Sequence, residues 1–167
     1  MAAANVICLA DYLRTSYEGP DPEFVHGRLV ERFGASYQHG RVKQRLCVIF
    51  HPLEAQFPLF ACPELRTQVA PGIVRVPDLA VFAGHEPVTN PVSERPLVVV
   101  EIASPEDRIS QVLEKLEEYQ TSGIPHIWFI DPGHQAFYAY NATGLHRVSA
   151  FELPAYGLAI HPSDLDL

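Results

Sequence analysis

No apolar run in this 167-residue chain approaches the roughly 18 residues that a membrane-spanning helix needs, so a helical membrane protein is excluded. The opening stretch, Met1 to Ala10, has no basic n-region of the kind that marks a secretory signal, and it meets an acid at Asp11. A cytoplasmic protein is therefore expected. Cysteine is scarce: Cys8, Cys47 and Cys62 are odd in number and show no C-x-x-C spacing, which argues against a disulfide framework or a zinc knuckle. Buried thiols are expected instead. No H-x-x-x-H or H-E-x-x-H spacing links His51, His85, His126, His134, His146 or His161, and Ser104 lacks a G-x-S-x-G elbow. Zinc-hydrolase and serine-hydrolase readings lose their support. Positive charge is also short, with 12 Lys and Arg against 20 Asp and Glu and a net charge of −8. That balance argues against a protein that coats nucleic acid non-specifically, because affinity for phosphate comes mainly from Lys and Arg.

What is present is globular. Hydrophobic residues make up 47% and charged residues 19%, and the length suits one domain over 1–167 without repeats or low-complexity linkers. Between Arg28 and Arg45 the acidic chain carries a basic island, Arg28, Arg32, Arg41, Lys43 and Arg45 against Glu31. It reads either as solvated surface or as a phosphate-contacting face on which Arg41, Lys43 and Arg45 are candidates for binding nucleic acid.

Turn chemistry and periodicity give the elements. A short helix is expected over 8–15, and Glu23 to Phe33 reads as a hairpin about a His26-Gly27 turn. Ser36 is an N-cap candidate for an amphipathic helix carrying Val42, Leu46, Ile49, Phe50 and Leu53, which Pro52 should kink or end; His39 shares that face and should point inward. A second hairpin runs from Leu65 through Pro71-Gly72 to a long strand, Ile73 to Phe82, with Asp78 in its middle. Gly84 to Pro96 forms a polar connection, and Leu97 to Ile102 reads as a central strand covered on both faces. A helix follows from about Glu106 to Ser122, with Ile109, Val112, Leu113 and Leu116 inward, Glu114, Glu117 and Glu118 outward, and Gly123 closing it. Asp107 and Arg108 sit at its start, where the helix dipole acts on them. Three strands, 126–130, 136–140 and 145–149, complete a meander in which Trp128 and the tyrosines should be core or interface. This order predicts an α/β (α+β) domain with helices over a central mixed sheet.

Two acids stand out, Asp78 in Val-Pro-Asp78-Leu-Ala-Val and Glu101 in Val-Val-Val-Glu101-Ile-Ala. A carboxylate in so apolar a strand is costly to bury unless it is paired or metal-bound. Strands lie about 4.8 Å apart, so two such groups at similar height can share one Mg²⁺ or Mn²⁺, whose Lewis acidity suits phosphodiester hydrolysis. Lys115, on the following helix beside Val112 and Tyr119, is the candidate cation. The competing readings are backbone donors or Arg75 for the two acids, Glu118 for Lys115, an ordinary strand position for Glu23 and a hydrogen-bonded core position for His39.

The strings Val74-Arg-Val-Pro-Asp78-Leu-Ala-Val, Val98-Val-Val-Glu101-Ile-Ala-Ser-Pro105, Glu114-Lys115-Leu-Glu-Glu-Tyr119 and Gly123-Ile-Pro-His-Ile-Trp-Phe-Ile-Asp131-Pro132 together resemble the Uma-two (DUF820-type) family of restriction endonucleases, in the PD-(D/E)XK nuclease superfamily. Glu23 to Val30 and His39 also look like that family's N-terminal hairpin and helix. The resemblance implies a restriction-endonuclease-like core, Asp78 and Glu101 as metal ligands, Mg²⁺ as cofactor, DNA as substrate, and Glu23 and His39 as accessory groups. The chain departs from the superfamily pattern at Ala103, where a D/E-x-K motif has lysine, and at His26, where related sequences carry an acid. Two functional readings stay open: a Mg²⁺-dependent endonuclease using Asp78, Glu101 and Lys115, and a catalytically silent module that binds nucleic acid or protein. A homodimer would suit double-strand cutting, which needs two sites.

Overall fold

The computed structural model describes residues 7–32 and 36–167. Its centre is a mixed sheet of six strands in the order β10-β9-β8-β7-β6-β3, formed by β3 (Leu59–Cys62), β6 (Leu79–Ala83), β7 (Val98–Ile102), β8 (His126–Asp131), β9 (Ala136–Asn141) and β10 (Gly144–Val148). Only β7 and β8 run parallel, and α3 (Ile109–Thr121) makes the crossover between them. A second, antiparallel sheet of four strands contains β1 (Glu23–Val25), β2 (Arg28–Val30), β4 (Thr67–Ala70) and β5 (Ile73–Arg75). A short α1 (Leu9–Arg14) packs Tyr12 against Phe24 of β1. No helix among the described residues is long and apolar enough to cross a membrane.

Strand alternation sorts the core of the large sheet. Val98, Val100 and Ile102 of β7 face the long helix α2 (Tyr37–Glu54), packing with its Val42, Leu46 and Phe50. Val99, pointing the other way, packs with Leu116 and Tyr119 of α3. Every residue of β7 is buried, as its run of β-branched residues requires. Ser36 caps α2 as expected, its side chain accepting a hydrogen bond from the His39 N–H at 3.2 Å. The far end of the α2-side core is closed by Phe151, stacked between Trp128 at 4.5 Å and Phe137 at 4.2 Å. Phe151 belongs to a small hairpin of β11 (Phe151–Leu153) and β12 (Leu158–Ile160).

Several expectations need correction. The strand expected from Ile73 to Phe82 breaks at Val76-Pro77-Asp78, because Pro77 has no N–H to give a ladder and the chain passes there from the four-stranded to the six-stranded sheet. Asp78 is consequently not mid-strand but stands immediately before β6. Helix α3 begins at Ile109 rather than Glu106, since Asp107 folds back to accept from the Ser104 N–H at 2.7 Å. Its sheet-facing side runs through Val112, Leu116 and Tyr119, which leaves Ile109 and Leu113 exposed rather than inward; Leu113 lies about 100° round from Val112. Helix α2 carries Pro52 within its last turn and ends at Glu54. Cys8 is exposed and Cys47 and Cys62 are half-buried, so the thiols are free but not fully enclosed. The short strand β3 and the 151–160 hairpin were not anticipated, their three or four residues being too few to show a period. Phe33, the expected end of the first hairpin, lies outside the described residues.

Candidate active site

The register of β6 and β7 brings the two acids together. Leu79 pairs with Val100 and Ala80 with Val99, so one step further Asp78 falls opposite Glu101. The Pro77 break leaves Asp78 without a ladder partner of its own, and its Oδ2 instead accepts from the Ile102 N–H at 2.8 Å. Strand alternation sends Glu101 away from α2 and toward α3, one strand face from Val100. There Lys115 donates to Glu101 Oε2 at 2.9 Å and the Tyr119 hydroxyl donates to Oε1 at 2.7 Å. Lys115 and Tyr119 are four residues apart and share one face of α3.

Lys115 also reaches Glu23 Oε1 at 2.8 Å. Glu23 accepts from the Val76 N–H at 3.0 Å and from Arg75 Nη1 at 2.8 Å. Arg75 in turn grips Glu118 through two bonds of 2.6 and 2.8 Å. Of the competing readings, Arg75 thus serves Glu23 and Glu118 rather than Asp78 or Glu101, and Lys115 turns inward instead of pairing with Glu118. Glu118 leaves the outer face of α3 on which it was expected. Beyond Asp78, His39 Nε2 lies 2.9 Å from Oδ1, and Nδ1 lies 3.1 Å from Ser104 Oγ. An ionised carboxylate only accepts, so Nε2 carries a proton and donates to Asp78. Arg32 approaches the same Oδ1 more loosely, at 3.5 Å.

Of these groups all but Glu118 and Tyr119, which support it from behind, face one cleft of about 200 Å³. Among the described residues it is lined by Glu23, Glu31, Asp78, Glu101, Asp107 and Glu114 against Arg32, Arg75 and Lys115. Exposure of Glu23, Asp78 and Glu101 is only 2%, 4% and 8%, so their charges depend on these partners. Burial raises the Asp78 carboxyl, but the His39 hydrogen bond and nearby positive charge outweigh it and hold the group below the usual carboxylate range. Glu23 is likewise lowered, burial being overcome by Lys115 and Arg75. Glu101 behaves oppositely: burial, with Asp78 and Glu23 adding to it against Lys115, lifts it to about 7. Burial works against the Lys115 ammonium, yet Glu101 and Glu23 keep its pKa above the ordinary lysine value.

The charges leave room for a cation. Four carboxylates, Glu23, Asp78, Glu101 and Glu118, are faced by three cations: Arg75 serves Glu23 and Glu118, Lys115 is shared between Glu23 and Glu101, and Arg32 approaches Asp78 loosely. Among the described residues no three His, Cys, Asp or Glu side chains gather as ligands. Mg²⁺ is commonly held by one or two carboxylates with water completing its shell, so this donor set fits it. Asp78 Oδ2 and both Glu101 oxygens accept one hydrogen bond each and keep a second lone pair.

The structure therefore brings Asp78, Glu101, Lys115, Glu23 and His39 into one cleft. It places Arg41, Lys43 and Arg45 on partly exposed turns of α2, where Arg41 and Arg45 donate to Asp166 and Lys43, the most enclosed of the three, to Glu64. Arg32, Arg75, Ser104, Glu118 and Tyr119 join the site only through the fold. The Glu-Glu-Tyr run after Lys115 was one available signal, since position 119 lies one turn beyond the lysine.

The mixed six-stranded sheet with helices over it is a restriction-endonuclease-like fold, and the acidic cleft lies across its β6 and β7. The family model described as "Uma2: Putative restriction endonuclease" matches residues 9–156, and the chain belongs to that family. It is also similar to the crystal structure, at 1.96 Å resolution, of a "putative nuclease belonging to DUF820" from Anabaena variabilis: the TM-score is 0.81 and the identity 22%, over 95% of this chain and 97% of that one. At that identity the likeness concerns the fold. No curated protein sequence is significantly similar.

Proposed function

We propose that this protein is a Mg²⁺- or Mn²⁺-dependent endonuclease that hydrolyses DNA phosphodiester bonds. The observation that carries this reading is the Lys115 ammonium 2.9 Å from Glu101, across the sheet from Asp78. A lysine from α3 thereby supplies the charge that Ala103 cannot. Bound at Asp78 and Glu101, the metal ion would supply Lewis acidity toward a phosphodiester oxygen and toward water. Asp78 is oriented by His39 and the Ile102 N–H, and Glu101 by Lys115 and Tyr119, so both carboxylates are set before substrate arrives. Lys115 has three N–H groups, and two are used on Glu101 and Glu23. The third can orient the attacking water or stabilise charge developing on the phosphate. Family membership supports nucleic acid as the substrate. The α2 residues Arg41, Lys43 and Arg45 serve as backbone-phosphate contacts once their exposed carboxylate partners exchange for phosphate, since solvent-screened pairs of this kind hold their partners weakly. A twofold pair of copies would present two sites to a duplex.

The test is cleavage of supercoiled and single-stranded DNA by purified protein with Mg²⁺, Mn²⁺ or EDTA, beside Glu101→Ala. Metal-dependent nicking abolished in the variant supports the proposal. Absence of wild-type cleavage on every substrate, with DNA still bound, replaces it with a silent binding module, the reading favoured by Ala103.

A further inference from the structure

The lysine at the site is held by more than the carboxylate it serves. Lys115 leaves α3, meets Glu23 of β1 at 2.8 Å, and Glu23 meets Arg75 at 2.8 Å. Arg75 then closes on Glu118 at 2.6 Å, three residues after Lys115 and back on the same helix. The result is a chain of alternating charge, Lys115, Glu23, Arg75, Glu118, that links the four-stranded sheet to α3 and is closed into a ring by one turn of the helix backbone. Its members are 15%, 3%, 6% and 18% exposed at the side chain, too enclosed for water to replace a lost partner.

We propose that Glu23, fixed by Arg75 and Glu118, is the positioning residue for Lys115. A lysine side chain on a helix has four rotatable bonds and a compact charge without built-in direction, unlike the planar guanidinium of Arg. One partner at Glu101 would leave the ammonium free to swing about that contact. A second anchor on the opposite side fixes two of its three N–H directions and so aims the third. Glu23 can do this because it is itself immobile: Oε1 also accepts from the Val76 N–H at 3.0 Å, while Oε2 is held by Arg75. Val76 immediately precedes the Pro77-Asp78 step, so the same carboxylate also ties the segment bearing Asp78 to the lysine. The ring replaces the rigidity that a lysine at position 103 would draw from the strand end. It matters most when a cation takes Glu101, because Glu23 then keeps the ammonium in place.

The inference rests on the nuclease reading for its catalytic meaning but is tested apart from it. The chain has two lysines, Lys43 and Lys115. Full-length protein labelled with ¹⁵N at lysine Nζ therefore gives two ammonium signals at most, assigned with Lys43→Arg. In wild type Lys115 should give a narrow, slowly exchanging signal. In Glu23→Gln that signal should broaden or vanish, and kcat for DNA cleavage should fall on the order of 10- to 100-fold, as expected for a misplaced group, while KM stays unchanged. Glu118→Gln, which frees Arg75, should weaken both readouts to a smaller extent. A folded Glu23→Gln protein with the wild-type Lys115 signal overturns the inference; if that variant does not fold, an unchanged signal and kcat in Glu118→Gln overturn it equally. Inactive wild type with a signal lost in Glu23→Gln removes the nuclease and keeps the ring. Active wild type with the signal intact in Glu23→Gln does the reverse.

Discussion

Replacing Lys115 by Met keeps an unbranched apolar stem and deletes the ammonium. Glu23 would retain Arg75 and the Val76 N–H, whereas Glu101 would retain only the Tyr119 hydroxyl. Breaking a buried pair costs about 3–5 kcal/mol if the orphaned group stays charged. Glu101 can avoid much of this by keeping its proton, because burial and its acidic neighbours already place it at about 7, far above the ordinary value of 4.5. Without Lys115 its pKa rises further. Below about 7 Glu101 is then protonated in both folded proteins, and their stabilities differ little on its account. Above that point wild type releases the proton and the variant does not. The folded variant holds a proton that its unfolded state lacks, so its stability falls with pH by about 1.4 kcal/mol per unit relative to wild type. The gap should reach about 3 kcal/mol near pH 9 by the same slope. Urea denaturation of both proteins across this range measures it, and plasmid nicking should show a loss on the order of 10²- to 10³-fold in kcat, as for other preorganised donors. Adding Ala103→Lys to the variant should restore part of that loss, since position 103 follows Glu101 on the same strand face. A stability gap that does not widen with pH, or nicking at the wild-type rate, would refute the placement of Lys115 as partner of Glu101.

Three further outcomes are expected. Because Glu101 must lose its proton to act as a ligand, Mn²⁺ affinity measured by calorimetry should rise up to about tenfold per pH unit below about 7 and level off above it; a flat profile would remove Glu101 from the metal site. Phe151→Ala should cost about 3–5 kcal/mol in denaturant unfolding and shift Trp128 emission to the red, because the ring fills the space between Trp128 and Phe137; a loss below about 1 kcal/mol would show that the 151–160 hairpin is not part of the core. The double change Arg41→Ala and Arg45→Ala should lower the slope of log affinity against log salt for duplex DNA by about 2, and an unchanged slope would take α2 off the DNA path.

Much of the architecture was legible because local chemistry writes it directly. Ser36 and the spacing of Val42, Leu46 and Phe50 announce α2, Gly27 and Gly72 supply the positive φ their turns need, and the unbroken Val98–Ile102 run announces a strand buried on both faces. Asp78, Glu101 and Lys115 could be chosen in the same way, since a charge inside an apolar pattern is visible without coordinates. The ring of Glu23, Arg75 and Glu118 was not, because its members look like ordinary strand-edge and helix-surface residues. Glu118 in particular follows a polar helical pattern, and only its proximity to Arg75 turns it inward.

The amino-acid sequence alone therefore determined the kind of elements, most of their limits, the family and the principal acids, all properties of residues close along the chain. Tertiary structure decided which partners those acids have. The Pro77 break moves the chain between sheets and sets Asp78 opposite Glu101, and the parallel crossover from β7 through α3 to β8 lays Lys115 and Tyr119 over that pair. Such pairings depend on distances between segments remote in sequence, and for buried charges the partner, not the residue type, settles protonation and hence what the site can do.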